Sequence, residues 1–201
     1  MSKILLAGDS FAADWQVKHP DQEGWVNLLA KEYDVTNVAQ AAVSEYKILK
    51  QITSVDLTKF DTIIVSHATP NRLHCETHPI HSDDKLHGNA DLIYQDLVGH
   101  TESDDAQTAV KFFERYFETE YYKYTSNLIC MDILRHLGEF ENLNQIHLEN
   151  YKKVIKYTDL PSINFNPIFS KHRGLMNHLD NTGNQLMLDK IKKCLLEQET
   201  Q

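Results

Sequence analysis

Gly8-Asp9-Ser10 follows a short apolar run at residues 3–7, K-I-L-L-A. A strand ending in a tight turn projects the next side chain from the rim of its sheet. A serine there is placed to act as a nucleophile, Gly8 permits the turn, and the Ser10 backbone N–H can face a developing oxyanion. The same residue types also build ordinary turns, so the motif alone leaves both readings open. Other reactive or polar side chains fall where later strands should end: Asn37, then His67, Asn71 and Arg72, and finally His178 ahead of the last helical stretch. His67 and Arg72 suit an anionic substrate group. A rival centre is the run containing His74, Cys75, Glu76, His78, His81, Asp83, Asp84 and His87, whose side chains are all metal-ligand types. Its histidine spacing, H-x3-H-x2-H-x5-H, matches no standard metal motif, and Pro79 prevents a helical array. The expectation is therefore no metal, with His74, His78, His81 and His87 the residues that would supply a site. The other reading of this run is a polar cover whose histidines serve as hydrogen-bonding groups.

The elements that must position these residues alternate. Residues 3–7 and 62–66 (T-I-I-V-S) read as buried parallel strands, and 34–38 (D-V-T-N-V) as a further strand. Between them, Trp25, Leu28, Leu29 and Tyr33 recur at helical spacing. So do Tyr46, Ile48, Leu49 and Ile52, with Ser44 as N-cap. This βαβαβ rhythm predicts a parallel sheet with right-handed crossovers and a ligand site at the strands' carboxyl ends. Residues 68–105 break the rhythm and read as a polar, His-rich insertion or lid. From 106 to 137 the pattern is helical, with a break expected near 123–126. Its aromatic residues, Phe112, Phe113, Tyr116, Phe117, Tyr121, Tyr122 and Tyr124, read as core at this spacing, with an acyl pocket or a partner interface as the other readings. Strands are expected over 145–148 and 154–157, irregular chain over 162–169, and an amphipathic helix over 182–197.

The ordered set of G-D-S after the first strand, Asn37 after the second, Thr69-Pro70-Asn71 after the third and the late His178 resembles the SGNH, or GDSL-type, hydrolase superfamily across residues 4–197. The resemblance implies a flavodoxin-like three-layer α/β/α sandwich with a mainly parallel sheet of about five strands. It also implies Ser10 as nucleophile, His178 as general base, and the Ser10 N–H, the Ala42 N–H and the Asn71 amide as oxyanion donors. Gly8, Asp9 and Asn37 would support the site. Three departures stand out. Ala42 occupies a glycine position, Thr69-Pro70 replaces the usual glycine segment before Asn71, and Leu175 stands where the family has its acid. The third catalytic member is thus unidentified, and a missing orienter can cost as much as ~10⁴ in rate.

Composition bounds the rest. A chain of 201 residues suffices for one sizeable core, and the expected organisation is a single domain. No apolar run approaches the ~20 residues of a spanning helix, and the amino terminus lacks the ~7–15 apolar residues of a secretory signal. Acids exceed bases 29 to 20, for a net charge of -9, which disfavours phosphate backbones. Cys75, Cys130 and Cys194 are odd in number and lack C-x-x-C spacing, so they read as reduced thiols in a cytoplasmic protein. The function expected is cleavage of a carboxylic ester, such as an O-acetyl group on a carbohydrate, through an acyl-serine and without a cofactor. The expected partner is a small-molecule ester, with no nucleic acid or membrane. An O-acyltransferase and a non-catalytic binding protein on the same scaffold remain the alternatives, and the sequence leaves oligomeric state open.

Overall fold

Alternation of side chains along the first strand decides the layering. In the computed structural model, which describes residues 2–81, 85–149 and 158–199, the chain runs β1 (Lys3–Gly8), α1 (Trp25–Ala30), β2 (Asp34–Asn37), α2 (Glu45–Thr53) and β3 (Thr62–Ser66). It continues through β4 (Arg72–Leu73), β5 (Leu92–Ile93), α3 (Tyr94–Leu97), α4 (Asp104–Tyr116) and α5 (Thr119–Leu137). The last elements are β6 (Asn144–Glu149), β7 (Ser162–Asn164), α6 (Asn166–Phe169), β8 (Arg173–Met176) and α7 (Asn181–Glu199). Ile4 and Leu6 point to one face of the sheet, where Trp25, Val26 and Leu29 of α1 and Leu188, Ile191 and Leu195 of α7 bury them. Leu5 and Ala7 point to the other, against Ile48 and Ile52 of α2 and Ile133 and Leu137 of α5. Each fully buried Leu or Ile contributes roughly 1.5–3 kcal/mol, so both helical layers are held by the same period-two pattern.

The five-stranded sheet is parallel throughout, in the order β2-β1-β3-β6-β7. Numbered within the sheet this is the 2-1-3-4-5 order of flavodoxin-like folds, whose ligand crevice opens where the order reverses, between the first and third strands. The fold is therefore the expected three-layer α/β/α sandwich. A separate antiparallel pair, β4 with β5, brackets the His-rich segment. Among the described residues no helix is long and apolar enough to cross a membrane.

Several local expectations are corrected. The helical break falls at Phe117–Glu118, where α4 ends and α5 begins, and 123–126 lie inside α5. Residues 162–169 are ordered as β7 and α6, with Pro167 tolerated in the first turn of α6. Phe112, Tyr116, Tyr121 and Tyr124 are exposed, so this part of the aromatic run is not core; the buried residues of α4 are Ala106 and Val110 instead. Tyr46 is exposed too, and the buried face of α2 carries Glu45, Lys47 and Gln51 beside Ile48 and Ile52. The strand expected over 154–157 lies outside the described residues.

Those buried polar side chains of α2 each have a partner at the sheet rim. Gln51 holds both sides of Gly8, accepting from its N–H at 2.8 Å and donating to its carbonyl at 3.2 Å. Lys47 donates to the carbonyls of Cys75, Asn89 and Ala90 and pairs with buried Asp91 at 2.9 Å, which pins Cys75 and residues 89–91 to the helix. Glu45 Oε2 lies 3.1 Å from His67 Nδ1, and His67 Nε2 lies 3.0 Å from His147 Nδ1. Burial works against a charged His67, yet the Glu45 carboxylate and the Cys130 contact outweigh it and push its pKa up to about 10. His147, desolvated and facing that cation, is pushed down to about 3 and stays neutral, so it accepts from His67. A folded-state pKa raised above the ordinary 6.5 adds stability that is fully present below pH 6.5 and lost as pH rises through about 10. Thermal unfolding followed from pH 6 to 10 is expected to show that loss. In Glu45→Gln, the unpaired buried imidazolium should cost about 3–5 kcal/mol at pH 6, and the slope over the same window should flatten.

Candidate functional site

Beyond β1 the chain turns at Gly8, whose φ of 146° lies in the region that favours glycine. A Cβ at Gly8 would sit 2.5 Å from the Ser66 carbonyl oxygen, so a glycine is required for β1 and β3 to lie this close. Asp9 is completely buried and braces the turn. Its Oδ1 accepts from the Phe11 N–H at 3.1 Å and from the Ser66 hydroxyl at 2.9 Å, and its Oδ2 pairs with Arg72 Nη2 at 3.0 Å. Arg72 also donates through Nη1 to the Val43 carbonyl. Ser10 comes next, its carbonyl receiving the Trp15 indole N–H at 2.8 Å.

Ser10, Ala42, Arg72 and His178 line one cleft of about 400 Å³, closed at the sides by Phe11, Trp15, His87 and Phe169. Ala42 has a φ of 62°. The chain thus keeps a left-handed conformation at a position that the sequence fills with a residue carrying a Cβ, at a cost of order 1–2 kcal/mol. Among the described residues, the Ser10 and Ala42 backbone N–H groups make no hydrogen bond, and neither does the Ser10 hydroxyl. Two residues on separate loops, each with an unspent N–H, thus line one cleft with a free serine hydroxyl, the kind of arrangement that oxyanion binding requires.

His178 reaches the cleft from a strained turn. Asn177 and His178 have φ values of 51° and 62°. The turn is held because Asn177 donates to the Ala13 carbonyl at 2.9 Å and Asn184 Nδ2 donates to the carbonyls of Met176, Leu179 and Asp180. The imidazole packs against Phe11 and Trp15, with ring centroids 4.7 and 5.5 Å away. Burial lowers the His178 pKa, the Asp9 carboxylate raises it and Arg72 lowers it, leaving it below the ordinary 6.5 and the ring neutral at pH 7. Asp180 is spent as the cap of α7, accepting from the Gly183 N–H at 2.7 Å, and Leu175 is exposed. The carboxylate charge that raises the His178 pKa is that of Asp9, acting through space.

Other expected site residues are dispersed. Asn37 ties down neighbouring loops, donating to the Ala12 carbonyl and accepting from the Ala39 N–H, both at 2.9 Å. Asn71 is exposed and accepts from the Thr69 hydroxyl, and it lines a different hollow with Tyr94, Gln95 and Phe113. The next residue, Arg72, opens β4, is buried and lines the cleft instead. His67 cannot meet a substrate group because it is sealed between Glu45 and His147. His74 pairs with Asp91, buried His78 accepts from the N–H groups of Ile80 and His81, and His81 stacks on His78 and His87. Among the described residues no three His, Cys, Asp or Glu side chains are grouped to hold a metal, and Asp83 and Asp84 lie outside them. Sequence reading missed Trp15 and Phe169 as cleft walls. The only signal for Trp15 was an aromatic residue five positions after the serine.

Neither a protein-family model nor a curated protein sequence matches the chain. Among solved structures it is similar to a proposed lipolytic protein of the G-D-S-L family from Desulfitobacterium hafniense DCB-2. That match has a TM-score of 0.54 and 11% identity, covering 96% of this chain and 99% of the other. A possible lipase from Chitinophaga pinensis DSM 2588 matches at TM-score 0.40 and 15% identity, and the chain spans 66% of its length. The first likeness establishes the fold, shared over essentially both whole chains.

Breaking the Asp9–Arg72 pair leaves a buried charge alone. Arg72→Met is expected to destabilise the chain by about 3–5 kcal/mol in denaturant titration. Ala42→Gly, by relieving the left-handed backbone, should leave stability equal or higher by up to about 1 kcal/mol.

Proposed function

We propose that the protein is a serine hydrolase that cleaves a carboxylic ester through an acyl-serine intermediate. The observation that carries this reading is the convergence of a free Ser10 hydroxyl, two residues with unspent backbone N–H groups and a neutral, half-buried His178 on one cleft. Ser10 Oγ attacks the acyl carbon while His178 removes its proton. The tetrahedral oxyanion is held by the Ser10 and Ala42 N–H groups, with the Arg72 charge beside it. His178 then protonates the departing alkoxide, and a water activated by the same imidazole cleaves the acyl-serine and restores the hydroxyl. No metal or cofactor takes part in this sequence. Asp9 takes the electrostatic part of a third member, since its carboxylate favours the imidazolium that forms during proton transfer. In this reading the chain works as one domain in which 68–105 covers the rim and sets substrate access, with His87 on the cleft wall.

The substrate we propose is a small acyl ester, of which an O-acetyl group on a carbohydrate is the leading case. The cleft is walled by Trp15, Phe11 and Phe169, and aromatic faces of this kind pack against the apolar face of a sugar ring. Transfer of the same acyl group to a sugar hydroxyl would need only that the acceptor replace water. A non-catalytic binding role is the second reading, because no hydrogen bond joins Ser10 to His178.

Labelling with a fluorophosphonate probe separates these readings. Wild type should label, Ser10→Ala should not, and His178→Ala should label at least ~10²-fold more slowly. Asn71→Ala should label within about twofold of wild type, in contrast to the oxyanion role that the family pattern implies for this position. A folded wild type that fails to label would favour the binding role. In ester hydrolysis, kcat/KM should fall on the acid side only below pH 6.5, because the base must be neutral and its pKa is lowered. An acid limb centred above pH 7 would exclude His178 as the base.

A further inference from the structure

Helix α5 has two apolar faces, and among the described residues only one is buried. Its buried residues, Ser126, Cys130, Ile133 and Leu137, face the core, where the helix packs on α2. At roughly 100° per residue they centre on one side of the helix, and Tyr121, Tyr124, Leu128 and Met131 centre about 180° away. These four are 56%, 64%, 44% and 51% exposed, so the outer face is open to solvent. With Arg135 they step by three, four, three and four, the spacing of a seam that packs against another helix. A helix that is apolar on opposite sides, with one side unburied, has a second packing surface.

We infer that this seam is a homodimer interface in which α5 of one copy packs antiparallel against α5 of a second copy about a two-fold axis near Leu128. The charges at the seam's ends choose the direction. Glu120 flanks one end and Arg135 closes the other. A parallel pair would set Glu120 against Glu120 and Arg135 against Arg135. An antiparallel pair sets each Glu120 beside Arg135 of the second copy, brings Tyr124 opposite Met131 of the second copy, and places Leu128 by the axis. Glu120 now bonds Lys123 at 2.7 Å and Arg135 bonds Asp132 at 3.4 Å, but both pairs are solvent-exposed and of little energetic weight, so they yield to the new partner. The contact is isologous, as a closed dimer requires. One helix pair is smaller than a standard interface, so association should be in the micromolar range, with a Kd of order 10–100 µM. The inference does not depend on the chemistry proposed for Ser10.

Sedimentation velocity on the full chain from about 5 to 500 µM tests it. Wild type should shift from monomer to dimer across that range. Leu128→Asp and Met131→Lys should each weaken association at least ~10-fold, while circular dichroism and thermal midpoint confirm that they fold. Glu120→Arg and Arg135→Glu should each weaken it, and the double variant should restore wild-type association. A wild type that stays monomeric at 500 µM overturns the inference. So does a dimer insensitive to both Leu128→Asp and Met131→Lys, or a charge-reversed double variant no better than its single parents. If Leu128→Asp alone fails to fold, Met131→Lys and the surface charge reversals decide the matter.

Discussion

Charge buried beneath the rim of a sheet must be paired, and the pairing of three such charges organises this protein. Asp9 is paired with Arg72, Glu45 with His67, and Asp91 with Lys47. Each pair joins segments far apart in sequence. The first ties the turn after β1 to the segment after β3, the second ties α2 to the end of β3, and the third ties α2 to the end of the His-rich segment. An unpaired carboxylate or guanidinium at such burial costs several kcal/mol, so these loops are not free to move independently. The connections around the carboxyl ends of the strands are thus cross-braced.

The bracing explains how a site with irregular parts is kept in order. Positive φ values at Ala42, Asn177 and His178 each carry a conformational cost, and each is offset by bonds that the surrounding loops supply. Asn184 spends its side-chain amide on three carbonyls around the His178 turn, and Asn177 reaches across to Ala13. The Gly8 backbone is held on both sides by Gln51. The result is a cleft at which the N–H groups of Ser10 and Ala42 are left unspent. Preorganised donors of that kind are what charge development in a transition state requires, because no reorganisation is needed when the charge appears.

The same economy separates the two ends of the helical layer. On α2 the polar residues face inward and are bonded, and on α5 the apolar residues face both ways. Helical periodicity alone reports that a face is apolar and says nothing about which neighbour covers it. The aromatic run through α4 and α5 reads as core by spacing, yet Tyr121 and Tyr124 of α5 are in solvent because the side of α5 that packs on α2 carries Ser126, Cys130, Ile133 and Leu137 instead.

Much of the architecture is written locally. The period-two alternation of Ile4, Leu5, Leu6 and Ala7, the β-branched run at 62–66 and the helical spacing around Trp25 and Ile48 each dictate an element, and their order dictates a parallel sheet. Gly8, Ser10 and His178 are legible for a similar reason, since each sits at the end of an element that can be read from its neighbours. The tertiary structure alone decided which of the remaining polar residues meet. Asn71 and Arg72 are adjacent in sequence, yet Arg72 pairs with buried Asp9 and Asn71 lies in solvent. His67 looked available at a strand end and is instead consumed by Glu45 and His147, from elements 22 and 80 residues away along the chain. The Asp9 carboxylate that raises the His178 pKa lies in the turn beside Ser10. Local sequence encodes periodicity and turns because these depend on neighbouring residues; partnership between buried charges depends on distances through space, which only the folded chain sets.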